Sequence, residues 1–238
     1  MSAPTSVFVT GTDTGIGKTV VSAAVAHAWA ASGASVTYVK PAQSGTDDGD
    51  DDARDVLVWT RGVRVVTGPA LGASLAPAVA ARLAGVELTG EELVGVVAAV
   101  RDERPDDRLV VEGAGGVLVE LGTDGTTCLD LAVALSLPVL VVARPGLGTL
   151  NHTALTLAEL DRREVPVAGV VVSGYPADPD LATSTNLDEL QRLSGGRLAG
   201  VVPVLDLTAP RALDPAATWF TPALGGEADV ASLIARRS

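Results

Sequence analysis

Apolar residues fall along this chain in short unbroken runs, and most runs lead into a stretch with helical spacing. Val7 to Val9, Val36 to Val39, Arg108 to Glu112, Pro138 to Ala143, Val167 to Ser173 and Leu198 to Val202 read as strands. Between them, residues 17–32 (stopped at Gly33), Asp52 to Trp59, Pro77 to Leu83, Thr89 to Arg101, Cys128 to Ser136, Gly148 to Arg163 and Leu181 to Leu193 read as helices. Thr89 with Glu92 predicts a capping box. Residues 62–75, with Gly68-Pro69 and Gly72 as turn signals, read as irregular. Leu207 to Pro222 is rich in Pro and Ala and lacks a clear period, and a short helix over Ala228 to Arg236 is expected to close the chain. Strands without polar alternation must be covered on both faces. The pattern therefore predicts an α/β fold, a parallel sheet with helices on both faces. No repeat or linker divides it, so 1–238 reads as one domain with a weakly patterned tail at 206–238. In such a sheet the ligand lies beyond the carboxyl ends of the strands.

The suspicious residues gather at those ends. Val7-Phe8-Val9 runs into Thr10-Gly11-Thr12-Asp13-Thr14-Gly15-Ile16-Gly17-Lys18-Thr19, a strand, a Gly- and Thr-rich turn, and the start of a helix. This is the form of a phosphate-binding loop, although five residues rather than four separate Gly11 from Gly17-Lys18. Backbone N–H groups over Asp13, Thr14, Gly15, Ile16 and Gly17 would face an anion, and the helix dipole adds to them. Lys18 supplies a mobile charge for the β- and γ-phosphates, and the Thr19 hydroxyl suits Mg²⁺. The fold expectation sharpens to a P-loop nucleoside-triphosphatase-like domain that takes ATP with Mg²⁺.

Composition changes the picture in three places. The net charge of −12 argues against a non-specific nucleic-acid binder. No apolar run is long enough for a membrane span, residues 1–6 lack the basic start of a signal peptide, and the single cysteine, Cys128, cannot form an internal disulfide. A cytoplasmic location is expected. Of 17 basic residues only two are lysines, Lys18 and Lys40. Positive charge has been given almost wholly to Arg, so the remaining lysines mark places that need a compact ammonium. Lys40 is a candidate on that ground alone.

Mg²⁺ takes one or two carboxylates beside phosphate oxygens and water. Glu112, at the end of an apolar strand, is a candidate second ligand, since an acid there needs a partner. A third acid is expected from Asp47, Asp48, Asp50, Asp51, Asp52 and Asp55, with the residues alone leaving the choice open. His27 and His152 do not form a metal pair. His27 reads as structural and Cys128 as a small core residue.

Four segments taken in order resemble the dethiobiotin synthetase family, the ATP-dependent cyclo-ligases of biotin biosynthesis. They are Gly11 to Thr19, Lys40-Pro41-Ala42-Gln43-Ser44-Gly45, Val111-Glu112-Gly113-Ala114-Gly115-Gly116, and Leu147-Gly148-Thr149-Leu150-Asn151-His152. The resemblance implies that 7,8-diaminononanoate takes up CO₂ as a carbamate, that ATP phosphorylates it, and that the second amine closes the ring. It implies catalytic roles for Lys40, Lys18 and Thr12. Thr12, Lys40 and Ser44 would meet the reacting end of the substrate, and Glu112, Gly113, Ala114 and Gly115 would meet the nucleotide. It selects Thr19, Asp52 and Glu112 as metal ligands, with Asp55 as the fallback. It also implies a homodimer in which Gly148, Thr149, Leu150 and Asn151 receive the substrate's carboxylate tail across the interface. Many members carry Asn-Asp after the late strand, where Asn reads adenine; here Ser173-Gly174-Tyr175-Pro176 stands instead. The base would meet main chain near Ser173 and Gly174 and the segment Pro203-Val204-Leu205, and other nucleoside triphosphates would be accepted.

Two other readings compete. A cobyrinate-type amidoligase carries similar Lys-Pro and Glu-Gly-Ala-Gly segments, but no glutamine-hydrolysing part follows here. A partitioning or cell-division-site ATPase carries a second Lys inside the loop, and positions 11–17 hold none.

Overall fold

The computed structural model describes residues 5–209 and 211–235. The apolar runs become the strands of a seven-stranded sheet: β1 (Val7–Gly11), β2 (Val36–Lys40), β4 (Val63–Thr67), β6 (Arg108–Gly116), β7 (Val139–Ala143), β8 (Val167–Tyr175) and β9 (Leu198–Pro203). A small second sheet pairs β3 (Gln43–Ser44) with β5 (Ala70–Leu71). The helices are α1 (Lys18–Ala31), α2 (Asp52–Trp59), α3 (Pro77–Ala84), α4 (Gly90–Glu103), α5 (Cys128–Ala134), α6 (Thr149–Arg162), α7 (Leu181–Leu193) and α8 (Val230–Ile234). The order across the large sheet is β4-β2-β6-β1-β7-β8-β9, and every pair is parallel. The chain leaves β1 to one side for β2 and β4, then returns to flank β1 with β6 and β7. The crevice of a doubly wound sheet opens at such a reversal, here above β1.

The unalternating pattern has the expected cause. Phe8, Val111, Val139 and Val141 point into a core under α4, α5 and α6, while Val7, Val9, Val110, Leu140 and Val142 point into a second core under α1 and α2. Helix α1 is buried from Val21 through Trp29. A helix that is apolar all round belongs between other layers. Ala23, Ala24, Ala26 and Ala28 let it lie close to the sheet. The Thr89–Glu92 capping box forms, and Thr127 with Asp130 builds a second one at the start of α5.

Two stretches depart from the sequence reading. Residues 62–75 are not irregular: Val63–Thr67 is an edge strand in register with Val36–Lys40, and Ala70–Leu71 pairs with Gln43–Ser44. Flanking Gly and Pro hid the strands, whose existence depends on distant partners. The tail is packed. Leu213, Ala216, Trp219, Phe220 and Leu224 close the α1 side of the sheet, and Trp29 Nε1 donates to the Leu224 carbonyl at 2.6 Å. Phe220 bridges Gly200 antiparallel on the edge strand β9, and a Cβ on Gly200 would stand 2.5 Å from the Phe220 ring. Burying a Phe contributes about 2–3 kcal/mol. Short 3₁₀ turns have no long period, so the sequence pattern was silent there. Strands β6 and β8 also run past their expected ends, to Gly116 and Tyr175. The closing helix spans Val230–Ile234; its expected end at Arg236 lies outside the described residues. Among the described residues no helix is long and apolar enough to cross a membrane.

Candidate functional site

The turn between β1 and α1 separates two clefts. On one side a cleft of about 650 Å³ holds Lys18, Thr19, Lys40, Ser44, Asp52 and Glu112 on its walls. On the other, one of about 370 Å³ is lined by Ser173, Gly174, Pro203, Val204 and Leu205 with Ile16. Thr14, Gly15 and Gly17 face both. Gly17 is required where it stands: its φ is 88°, and a Cβ would lie 2.3 Å from Ser173 Oγ. The loop is thus pressed against the end of β8.

The larger cleft is a network of charge. Lys40 ends β2, and its buried ammonium lies 2.6 Å from Asp52 Oδ2 and 3.0 Å from Glu112 Oε1, while donating to the Gly113 carbonyl at 3.0 Å. Thr19 Oγ1 stands 2.8 Å from Asp52 Oδ1 and 3.1 Å from Glu112 Oε1. Tyr38 donates to Glu112 Oε2 at 3.2 Å. Lys18 folds back to donate to the Asp13 carbonyl at 3.1 Å. Burial acts most strongly on Lys18 and lowers its pKa, against the opposing charge of Glu112. Burial also works against the charged form of Lys40, but Glu112 and Asp52 outweigh it and hold the pKa above the ordinary lysine value. For Asp52 burial is likewise the largest influence and is outweighed, by Lys40, so its pKa lies below the ordinary value. The acidic run divides by role. Asp51 caps α2 through the Arg54 amide at 2.9 Å, Asp48 and Asp50 accept from Ser74, and only Asp52 of the run reaches Thr19 among the described contacts. Asp55 lines the cleft one turn further on, with its pKa raised by burial and by Asp52.

Three hard oxygens from one hydroxyl and two carboxylates suit Mg²⁺ completed by phosphate oxygens and water. Among the described residues no three His, Cys, Asp or Glu side chains form a metal cage of their own. Cys128 is buried against the Ala114 carbonyl, and burial pushes its thiol up to about 11, which makes it an inert core residue. His27 is buried 3.7 Å from Asp214 and away from both clefts.

Other candidates lie elsewhere. Thr12 donates its amide to the Val142 carbonyl, and its hydroxyl is buried without a partner in the loop floor. Gly148, Thr149, Leu150 and Asn151 form the entry and first turn of α6 and line neither cleft. Three residues of the site were given no role by the sequence reading. Tyr38 orients Glu112 from inside a strand where it reads as core. Gln43 is buried and accepts from the Asp52 amide at 3.3 Å, holding the start of α2. Arg144, one residue past β7, lies on the smaller cleft.

A Gly-Lys-Thr loop at the carboxyl edge of a parallel sheet, with a hydroxyl and two carboxylates converging beside it, defines a P-loop nucleotide-binding protein. The family model described as AAA domain matches residues 5–212. The cell division ATPase MinD of Pyrococcus furiosus superposes with a TM-score of 0.54 at 18% identity, over 98% of this chain and 97% of that one, a likeness of fold. The ATP-dependent dethiobiotin synthetase BioD of Mycobacterium sp. (strain JLS) is 46% identical over 80% of this chain and 85% of its own length. That of Rhodococcus erythropolis (strain PR4) is 46% identical over 83% and 88%. The chain belongs to the dethiobiotin synthetase family.

Proposed function

We propose that the protein is an ATP-dependent dethiobiotin synthetase, a ligase of biotin biosynthesis, acting on 7,8-diaminononanoate, CO₂ and Mg²⁺-ATP. One amine adds to CO₂ and loses a proton, giving a carbamate. A carbamate oxygen attacks the γ-phosphorus and ADP leaves, giving a carbamic–phosphoric anhydride. The other amine attacks the carbonyl carbon, the C–O bond to phosphate breaks, and the ureido ring closes with loss of a proton.

The observation that carries this reading is the buried Lys40 ammonium held between Asp52 and Glu112 next to the phosphate loop. Carbamate and triphosphate are both anionic, so a protein of net charge −12 must concentrate positive charge where they meet. Lys40 faces carbamate and γ-phosphate together, Lys18 follows the β- and γ-phosphates, and the amides from Asp13 to Gly17 cradle them. Thr19, Asp52 and Glu112 would hold Mg²⁺, which neutralises phosphate charge. Ser44 meets the amine end, and Thr12 joins it when its hydroxyl turns from the loop floor. Glu112, Gly113, Ala114 and Gly115 wall the nucleotide's phosphate side. The base lies among Ser173, Gly174, Pro203, Val204 and Leu205. Holding two ionic reactants in line is the main task, so positioning carries much of the rate.

The substrate's carboxylate is received by Gly148, Thr149, Leu150 and Asn151 of a second copy in a homodimer, since a helix N-terminus attracts an anion. The enzyme works in the cytoplasm, as a single domain over 1–238. ADP release is the test, with diamine, bicarbonate and Mg²⁺ each omitted in turn. Release that needs all of them, with dethiobiotin detected by mass, is the expected result. Release indifferent to the diamine would return the chain to the ATPase switches or to another amidoligase.

A further inference from the structure

The smaller cleft has one charged side chain on its wall among the described residues, Arg144. The rest is main chain, apolar side chains and two hydroxyl residues, Thr14 and Ser173, the latter committed to its packing against Gly17. Arg144 is held loosely. Its guanidinium stands 3.9 Å from Asp13 Oδ2, with both side chains close to half exposed. An exposed ion pair of that kind contributes little. A second terminal contact, to His152 Nδ1, is 3.5 Å long. The Nε–H is enclosed and has no acceptor. A donor without a partner beside an open cleft is an unfinished interaction.

We propose that Arg144 is a specificity-determining residue that reads the nucleobase, by turning its fork from Asp13 onto a base lying between Gly174 and Leu205. This rests on the reading of the smaller cleft as the base site. A guanidinium only donates, and it pairs best with carbonyl oxygens or with the O6 and N7 edge of guanine. Adenine presents an amino group where guanine presents O6. Arg144 therefore favours bases that carry a carbonyl, while excluding none, because the other contacts are made by main chain.

The test compares Arg144→Ala and Arg144→Lys with the unchanged enzyme, reading KM and kcat for ATP, GTP and CTP, and inhibition by inorganic tripolyphosphate, which has no base. A charge-assisted hydrogen bond of about 1.5–3 kcal/mol predicts that Arg144→Ala raises KM for GTP and CTP by about tenfold or more. ATP should change by less than about threefold, with kcat and tripolyphosphate inhibition unmoved. Arg144→Lys keeps the charge without the fork and should fall between. An equal loss for all three nucleotides and tripolyphosphate would mean a phosphate contact and overturn the proposal. Unchanged KM values would overturn it too, as would a fall in kcat. If the unchanged enzyme releases ADP without diamine, the reaction assigned above fails instead. Displacement of a bound nucleotide by ATP, GTP, CTP and tripolyphosphate then reads Arg144 directly.

Discussion

The two clefts on either side of the phosphate loop are built by opposite means. In the larger one, Lys40, Asp52, Glu112, Thr19 and Tyr38 fix one another through contacts of 2.6 to 3.2 Å. In the smaller one, Gly174, Pro203, Val204 and Leu205 offer main chain and apolar surface, and Val204 is two-thirds exposed at 67%. The difference teaches where selectivity resides. A network in which each polar group has a partner tolerates little change, because removing one member strands the others. A wall of backbone and methyl groups accepts any flat ring of the right thickness. On the proposed reading, the enzyme would be strict about the reacting end and permissive about the base.

The largest effect expected is at Lys40. Lys40→Gln should lower kcat by at least about 10²–10³-fold, the loss typical of removing one charge-stabilising donor. The same change leaves Asp52 and Glu112 facing each other unpaired, at a cost of about 3–5 kcal/mol. The buried pair predicts a variant that folds with a lower melting temperature at neutral pH. The sign follows from the shifts. Asp52 has a lowered pKa, so its share of stability is present above the ordinary aspartate value and lost as pH falls through the lowered one. Lys40 has a raised pKa, so its share is present below the ordinary lysine value and lost as pH rises through the raised one. The melting difference between the two proteins should be widest at neutral pH and shrink in acid. A difference that grows in acid would break the account of this network.

Next in size is the metal set. Thr19→Ala should raise the Mg²⁺ concentration needed for half-maximal turnover by about 10-fold or more, leaving the KM for diamine nearly fixed. Equal loss in both would mean a general collapse of the cleft. Gly17→Ala tests the shared wall. Its φ of 88° and the clash with Ser173 predict about tenfold or greater loss of nucleotide affinity by titration calorimetry. Adding Ser173→Gly should restore part of it, because the clash goes and the backbone strain stays. The smallest effect separates bases. Competition among ATP, GTP and CTP should separate the three by well under about a hundredfold, with ATP not the favoured one. A wider separation would show that the smaller cleft is built as strictly as the larger.

Sequence exposed the strict cleft far better than the permissive one. Gly11 to Thr19 announced itself by a Gly-Lys-Thr opening a helix after a strand, Lys40 by the scarcity of lysine, and Glu112 by an acid at the end of an apolar strand. Asp52 could be chosen among the six acids of the run only by resemblance, and the structure supplies the reason in its contact with Thr19. Tyr38 stayed hidden, and Gln43 drew no role within its segment, because a Tyr in a strand and a Gln in a loop have ordinary structural uses. Arg144 falls just past a strand end, where the sequence marks the site, but its side chain drew no role because arginine is common here, fifteen in the chain. In the fold, long runs that carry their own pattern were legible. Val63–Thr67 and the tail around Phe220 were not, because their conformations are set by β2 and Gly200 rather than by local sequence.

The central claim is that the strict cleft transfers a phosphoryl group onto a carbamate. Bicarbonate labelled with ¹⁸O, converted to CO₂ and used at once with diamine and Mg²⁺-ATP, tests it directly. The carbamate oxygen that attacks phosphorus leaves with it when the ring closes, so mass analysis should find label in the released phosphate. Labelled bicarbonate that yields dethiobiotin beside unlabelled phosphate would contradict the account.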